Sequence, residues 1–366
     1  MPCPQCNHIA RWIFLISALS FYGLSYDPFR FFGHEATLNQ PQLKYSASRC
    51  VEIAFSGRYL VSTEIGYGRL SNAKLSLTEL LGLSLALNRT AVVPPIDACR
   101  QTSTSFLSLF DAEFLPVASV PLHAFDFDAA CGSDWLYVDA GHPFLVEEGA
   151  VFRGRLPVRI YSPPGETLLT GLQNASEAKE YACIVLTKHF RAVDWAACGR
   201  PDIGTAIHAT LLPHPAIARE ARSFLARSGL LAIAFVGVHL RLTDMADISS
   251  SFGRTCNRNA ESLLQHVYAA LAGGPPGRPR KAVVLGTDDY EASCASSLQR
   301  AFPGTIVTLA RATQFPSGSC EEALFEQEVL GHAAFFIGDA LSSYSLSISN
   351  IRQHRMGHGV ETSILL

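Results

Sequence analysis

Polar side chains stand at four places where predicted strands and helices meet. The first is a glycine-containing loop, Gly68-Arg69-Leu70-Ser71-Asn72, which opens an apolar helix. The other three follow predicted strands in the second part of the chain: His239-Leu240-Arg241, Thr287-Asp288-Asp289 and Ser342-Ser343-Tyr344. A helix N-terminus favours an anion because its first backbone N–H groups are unpaired, and a fixed guanidinium pairs well with phosphate. These residue types therefore indicate a site for a phosphorylated ligand.

Each of these residues also has a structural explanation that the sequence leaves open. Arg241 can form a surface ion pair with Asp244, which contributes little. The pairs Asp288-Asp289 and Ser342-Ser343 stand where helix N-caps belong, and capping is the commonest use of such residues. His239 can be a hydrogen-bonded core histidine. The functional interpretation depends on all of them lying at strand ends within one part of the chain.

The elements that must position these residues alternate between strands and helices. The pattern predicts strands at 58–63, 90–93, 231–240, 281–286, 305–309 and 334–338. It predicts helices at 73–87, 259–271, 290–302, 321–332 and 343–356, and weaker ones near 102–110, 176–198 and 213–228. Alternating strands and helices imply parallel sheets with right-handed crossovers. Ligands bind outside the carboxyl ends of such strands, which is where three of the motifs fall.

The composition fits a globular protein with a sizeable hydrophobic core. The chain has 366 residues, of which 48% are apolar and 17% charged, enough for two α/β domains or one large one. Its formal net charge of −3 excludes the global basic field of a nucleic-acid-binding protein. We therefore expect no nucleic-acid partner.

The N-terminus has the pattern of a targeting segment. An apolar run from Trp12 to Leu24 follows Arg11, and its thirteen residues fit a signal-peptide core while being short for a membrane span. A cleaved signal peptide, a short signal anchor and a buried N-terminal helix all remain open. We expect residues 1–26 to direct the protein to the ER or Golgi lumen, with membrane contact if they stay attached, and residues 27–48 to form a stem.

Cysteine usage agrees with that compartment. The chain has ten cysteines, and an even number beyond a targeting segment predicts disulfides in an oxidising lumen. These eight are Cys50, Cys99, Cys131, Cys183, Cys198, Cys256, Cys294 and Cys320. Their pairing cannot be deduced from the sequence. Glycosylation sequons at Asn88 and Asn174 point the same way.

The order and spacing of the motifs resemble the protein O-fucosyltransferase family, enzymes that use GDP-fucose. That family carries a G-R-F-G-N loop, a helix, N-R-T and a strand ending in two prolines, then H-L-R, T-D, and F-I-G followed by S-S-F. The corresponding segments here are 68–72, 88–95, 239–241, 287–288 and 336–344. The resemblance covers about 50–95 and 231–366.

This chain departs from the family pattern at three points. Ser71 stands where the family has glycine, which narrows the backbone freedom of the loop. Tyr344 replaces a phenylalanine. The segment Leu242-Thr243-Asp244 is closer to the R-x-T-D of α1,6-fucosyltransferases, which bears on the acceptor more than on the donor.

The resemblance implies an α/β protein of GT-B fold, with two Rossmann-like domains whose parallel sheets face a central crevice. Residues 49–229 would form the acceptor-side domain, and residues 230–366 the domain that binds GDP-fucose. The implied activity is inverting transfer of L-fucose to a Ser or Thr hydroxyl of a lumenal protein. A glycan acceptor, as in α1,6- or plant-type enzymes, is one alternative. A non-catalytic lumenal binding protein on a degenerate fold is another.

The resemblance also assigns roles to individual residues. Arg241 would stabilise the leaving GDP, and Asn72 would orient the sugar or acceptor. The further donor contacts would come from Gly68, Arg69, His239, Asp288, Ser342, Ser343 and Tyr344. No metal or other cofactor is expected, although the triplet Asp126-Phe127-Asp128 resembles the metal-binding D-x-D of a different glycosyltransferase fold. Proximity alone suggests Glu64 or Asp244 as general base, and we assign neither.

Overall fold

Two parallel sheets, one early and one late in the chain, organise the fold. The computed structural model describes residues 57–366 except 64, 66–68, 97, 100–103, 141–157, 160–167, 179, 188, 190–192, 243–259, 274–280 and 341. The predicted targeting segment and stem lie outside the described residues, as do Glu64, Gly68 and Asp244. Residues 57–366 form one compact unit. We call residues 57–229 the first half and residues 230–366 the second half; the predicted domain boundary between them stays a prediction.

The strands are short, as is usual for parallel sheets covered on both faces. In chain order they are β1 (Tyr59–Ser62), β2 (Thr90–Val93), β3 (Phe110–Asp111), β4 (Ser119–Pro121), β5 (Trp135–Asp139), β6 (Val158–Arg159), β7 (Cys183–Thr187), β8 (Leu212–Pro213), β9 (Phe235–Leu240), β10 (Ala282–Thr287), β11 (Ile306–Thr308), β12 (Phe335–Gly338) and β13 (Ser363–Leu365).

The α-helices connect and cover these strands. In chain order they are α1 (Leu70–Ala86), α2 (Phe106–Leu109), α3 (Phe127–Cys131), α4 (Leu168–Ala178), α5 (Pro201–Thr210), α6 (Pro215–Arg227), α7 (Ala260–Ala272), α8 (Ser293–Ala301), α9 (Cys320–Gly331) and α10 (Ser343–Asn350). A π-helical turn, Ile351–Arg355, continues α10.

The first sheet has the strand order β4-β2-β1-β7-β5-β6, and each neighbouring pair is parallel. The predictions of β1, α1 and β2 are confirmed. Helix α1 is buried over most of its length, as its many leucines predicted, because it packs on β1 and β2 on one side and on α5 and α10 on another.

The second sheet has the order β11-β10-β9-β12-β13, and all its neighbouring pairs are parallel. Renumbered within this sheet, the order is 3-2-1-4-5, which is the beginning of the Rossmann order. The order therefore reverses between β9 and β12. In such sheets the crevice at the carboxyl ends of the two strands that flank the reversal is the expected ligand site.

Three sequence predictions are wrong in detail. The segment 176–198 is not one helix: α4 ends at Ala178, and Cys183–Thr187 forms the fully buried strand β7. Its apolar residues are covered on both faces, so they show no periodicity that would separate strand from helix. Of the helix predicted at 102–110, the structure has only α2. The helix predicted at 343–356 is α-helical only to Asn350, after which the π turn begins.

Disulfides occur in the described part of the chain, as predicted. Cys131 pairs with Cys183 inside the first half, and Cys99 pairs with Cys320 across the two halves. Cys294 is also disulfide-bonded. Among the described cysteines, Cys198 is a free thiol, which departs from the predicted pairing; Cys50 and Cys256 lie outside the described residues. None of the helices within the described residues is long and apolar enough to cross a membrane.

Candidate functional site

An ion pair joins the ends of two neighbouring strands of the second sheet. Arg241 directly follows β9 and Asp288 directly follows β10, and Arg241 Nε lies 3.3 Å from Asp288 Oδ2. Both side chains are mostly covered, with 15% and 17% exposed. The backbone N–H of Leu242 also donates to Asp288 Oδ1, at 2.8 Å. Asp288 therefore fixes both the side chain of Arg241 and the backbone that follows it.

A second arginine reaches the same carboxylate from the first half. Arg69 is the N-cap residue of α1, and its Nη1 lies 3.8 Å from Asp288 Oδ2. The neighbouring Asp289 accepts hydrogen bonds from the backbone N–H groups of Glu291 and Ala292, at 3.0 and 3.1 Å. These bonds close a turn before α8, whose N-cap is Ala292, so neither aspartate is the N-cap of that helix. Asp288 is engaged by arginines, and its predicted contact with the nucleoside stays a prediction.

His239 is a buried, hydrogen-bonded histidine, with only 3% of its surface exposed. Its Nδ1 lies 2.8 Å from Ser345 Oγ, and the same oxygen accepts from the backbone N–H of Asp339 at 3.0 Å. Burial lowers the pKa of His239 to about 3, so the ring is neutral at physiological pH. The ring also stacks on Tyr344, with centroids 4.4 Å apart and planes 17° apart.

The N-terminus of α10 sits directly on the end of β12. Ser342 caps the helix, accepting from the backbone N–H of Ser345 at 3.4 Å. Gly338, the last residue of β12, permits this close approach, because a Cβ there would lie 2.7 Å from the Cβ of Ser345. The helix therefore presents its N-terminal N–H groups, with Ser342 and Ser343, at the reversal point of the sheet.

Glu326 is a buried acid that the sequence analysis missed. Tyr344 Oη lies 2.9 Å from the carbonyl oxygen of Ala323 and 3.0 Å from Glu326 Oε2. The phenol has one hydrogen and the carbonyl can only accept, so both contacts are hydrogen bonds when Glu326 is protonated and donates to Tyr344. Burial raises the pKa of Glu326 to about 8, which agrees with a protonated carboxyl at neutral pH.

The first half contributes the N-terminal turn of α1 to the candidate site. Asn72 lies in the first turn of the helix, partly exposed, and its backbone N–H donates to the carbonyl of Arg69 at 2.9 Å. The contact of Arg69 with Asp288 links this turn to Arg241. Gly68, the remaining predicted loop residue, lies outside the described residues.

The D-x-D triplet has a structural role. Asp126 is the N-cap of α3, and its Oδ1 accepts from the backbone N–H of Ala129 at 3.0 Å. Within the described residues, histidine, cysteine and acidic side chains form no cluster of three that would hold a metal ion. The expectation of metal independence stays a prediction for experiment.

The fold resembles solved structures of known glycosyltransferases. POFUT1 in complex with GDP aligns with a TM-score of 0.56 at 17% identity, covering 84% of this chain and 98% of that chain. POFUT1 in complex with GDP-fucose gives 0.56 at 16% identity, with the same coverage. The fucosyltransferase NodZ from Bradyrhizobium gives 0.50 at 16% identity, covering 80% and 92%. The fold is GT-B.

The comparisons establish this fold and no closer relationship. No protein-family model matches the chain, and no curated protein sequence matches it. The activity therefore has to be argued from the site.

Proposed function

We propose that this protein is an inverting fucosyltransferase that uses GDP-fucose. The observation that carries the proposal is the convergence of Arg241, Asp288 and the N-terminus of α10 at the reversal point of the second sheet. The similar fold of POFUT1, solved with GDP-fucose, and of the fucosyltransferase NodZ supports the choice of donor. The second half would hold GDP, with His239 and Asp288 toward the nucleoside and Ser342, Ser343 and Tyr344 around the phosphates.

The chemistry requires charge stabilisation on the leaving group. The bond between fucose C1 and the β-phosphate oxygen breaks, and its electron pair leaves with GDP. The acceptor oxygen bonds to C1 from the opposite face and gives its proton to a general base, a role that we assign to no residue. Because negative charge grows on the diphosphate, a guanidinium already held in place by Asp288 stabilises the transition state more than the ground state. Gly68, Arg69 and Asn72 would orient the fucose and the acceptor from the first half.

For the acceptor we propose a Ser or Thr hydroxyl of a protein in the ER or Golgi lumen. The disulfides support an oxidising compartment, and a membrane attachment would come from residues 1–26. A glycan acceptor is the competing candidate, favoured by the sequence Leu242-Thr243-Asp244.

The test is a transfer assay with labelled GDP-fucose. The full chain is offered folded lumenal protein domains in one set and oligosaccharides in another, and products are identified by mass spectrometry. Label on a Ser or Thr side chain supports the proposal. Label that appears only on oligosaccharides overturns the proposed protein acceptor but leaves the proposed fucosyltransferase activity in place. No GDP binding and no transfer by the folded protein would indicate a non-catalytic binding protein.

A further inference from the structure

A buried glutamine connects the two halves beside the site. Gln327 lies on α9 and has no exposed surface. Its Nε2 donates to Ser71 Oγ at 2.9 Å, and its Oε1 accepts from Lys74 Nζ at 3.3 Å. The same Oε1 accepts from Ser347 Oγ at 3.0 Å. One side chain of the second half thus contacts α1 of the first half twice and α10 once.

The orientation of the amide follows from the charged form of Lys74. An ammonium group can only donate, so with Lys74 charged the oxygen of Gln327 faces Lys74 and the nitrogen faces Ser71. Ser71, Lys74 and Ser347 are 2%, 7% and 3% exposed, so water cannot easily replace a lost partner. A fully connected network of this kind holds its members in one arrangement.

The network lies directly behind the residues that we assign to the reaction. Ser71 precedes Asn72 in the first turn of α1, and Ser347 lies on α10, whose N-terminus is formed by Ser342 and Ser343. Gln327 therefore couples the turn that carries Asn72 to the helix that would receive the phosphates. A glycine at position 71, as in the family that the sequence resembles, would offer no hydroxyl for this coupling.

We propose that Gln327 and Ser71 are positioning residues, which set Asn72 against the donor site across the two halves. This inference rests on the proposed function. Because the hydrogen bonds of Gln327 go to Ser71, Lys74 and Ser347, its loss should disturb the relative placement of the two halves more than GDP binding by the second half. A misplacement of about 1 Å can cost about 10²-fold in rate.

The decisive variant is Ser71→Ala, because it removes the bond between Gln327 and the first turn of α1 and leaves Gln327 in place as acceptor for Lys74, further along α1, and for Ser347. We expect kcat for fucosyl transfer to fall about tenfold or more, while the Kd for GDP from calorimetry changes little. Gln327→Leu should lower kcat at least as much. The double variant should be no worse than Gln327→Leu alone, since both changes remove the same bond.

Ser319→Ala is the matched control. Ser319 caps α9, the helix of Gln327, by accepting from the backbone N–H of Glu322 at 3.1 Å. Loss of this cap should lower the melting temperature without lowering kcat. The variant therefore shows what destabilising α9 alone does to kcat.

Three outcomes contradict the inference. Near-normal kcat in Ser71→Ala, with an active wild-type protein, would overturn the positioning role and leave the proposed function intact. A parallel loss of kcat and GDP affinity would show that the network supports donor binding instead. A wild-type protein that transfers no fucose would remove the proposed function and this inference together.

Discussion

The strand ends at the reversal points of the two sheets hold different pairs of described side chains. In the first sheet, β1 ends in Ser62, whose hydroxyl lies 2.7 Å from Nε2 of His189, just after β7. In the second sheet, β9 is followed by Arg241, paired with Asp288. The first pair is a hydrogen bond between two buried side chains, whereas the second is an ion pair that holds a cation in a partly covered position. We therefore propose that the charge of the donor diphosphate is stabilised by the second half.

The segment Asn88-Arg89-Thr90 strengthens the contrast. Arg89 is 4% exposed and its Nη1 donates to the carbonyl of Tyr181 at 2.9 Å, with longer contacts to those of Tyr59 and Ala182. These carbonyls lie at the amino ends of β1 and β7, opposite the ligand edge. This arginine therefore holds strands together, while Arg241 faces the site.

The largest expected effect is that of Arg241→Ala. Removing one preorganised donor to developing charge typically costs about 10²–10³ in rate, and a cation should cost more. We therefore expect kcat to fall by at least about 10³, with Arg241→Lys a poor substitute because an ammonium lacks the planar fork. Arg200→Ala, which removes a surface ion pair with Asp202 in the first half, is the control. If both alanine variants turn over equally, Arg241 is only an ion-pair partner.

A smaller effect is expected for Asp288→Asn. The amide can still accept from Leu242 but no longer pairs as an ion with Arg241 and Arg69, so the guanidinium loses part of its anchoring. We expect kcat to fall about 10–100-fold. Asp126→Asn, at the cap of α3, should leave kcat unchanged. Equal activity of the two variants would show that Asp288 does not position Arg241.

Two buried groups, one in each half, should give opposite pH dependences of stability. Glu326 in the second half has a pKa raised from 4.5 to about 8, first because of burial. Between these pH values the folded state binds the extra proton, so the free energy of unfolding falls as pH rises. Lys74 in the first half has a pKa lowered from 10.5 to about 7, again mainly by burial. There the unfolded state binds the proton, so stability rises between pH 7 and 10.5.

Urea unfolding across this pH range separates the two groups. Glu326→Gln should flatten the decline below pH 8, and Lys74→Met should flatten the rise above pH 7, each by on the order of a few kcal/mol over its window. A Glu326→Gln profile parallel to that of the wild type would mean that this carboxyl is not held protonated.

No effect is expected from metal removal. If Arg241 and the N-terminus of α10 neutralise the diphosphate, transfer should continue in excess EDTA. Loss of turnover that manganese restores would contradict this and would give the triplet Asp126-Phe127-Asp128 a role beyond the capping by Asp126.

Sequence patterns predicted the strands that end at the proposed donor site. Strands β9, β10 and β12 appear as apolar runs because both faces are covered, and the polar residues directly after them mark the ligand edge. Between 96 and 230 the pattern predicted α6, but it missed β4 and β5, which are only partly buried, and β7, which has no periodicity. The proposed site residues that follow strands were named from the sequence, whereas Ser345, Glu326 and Gln327 were not. These three lie inside helices, and only tertiary packing brings Ser345 to His239, Glu326 to Tyr344 and Gln327 to Ser71.

Calorimetric titration of the folded full chain with GDP tests the central claim most directly. The proposed donor site in the second half predicts saturable binding of one GDP per chain, weaker binding of UDP, and reduced GDP affinity in Arg241→Ala with Arg200→Ala unchanged. Absence of GDP binding by protein whose circular dichroism shows it folded, or equal affinity in both arginine variants, would contradict the account.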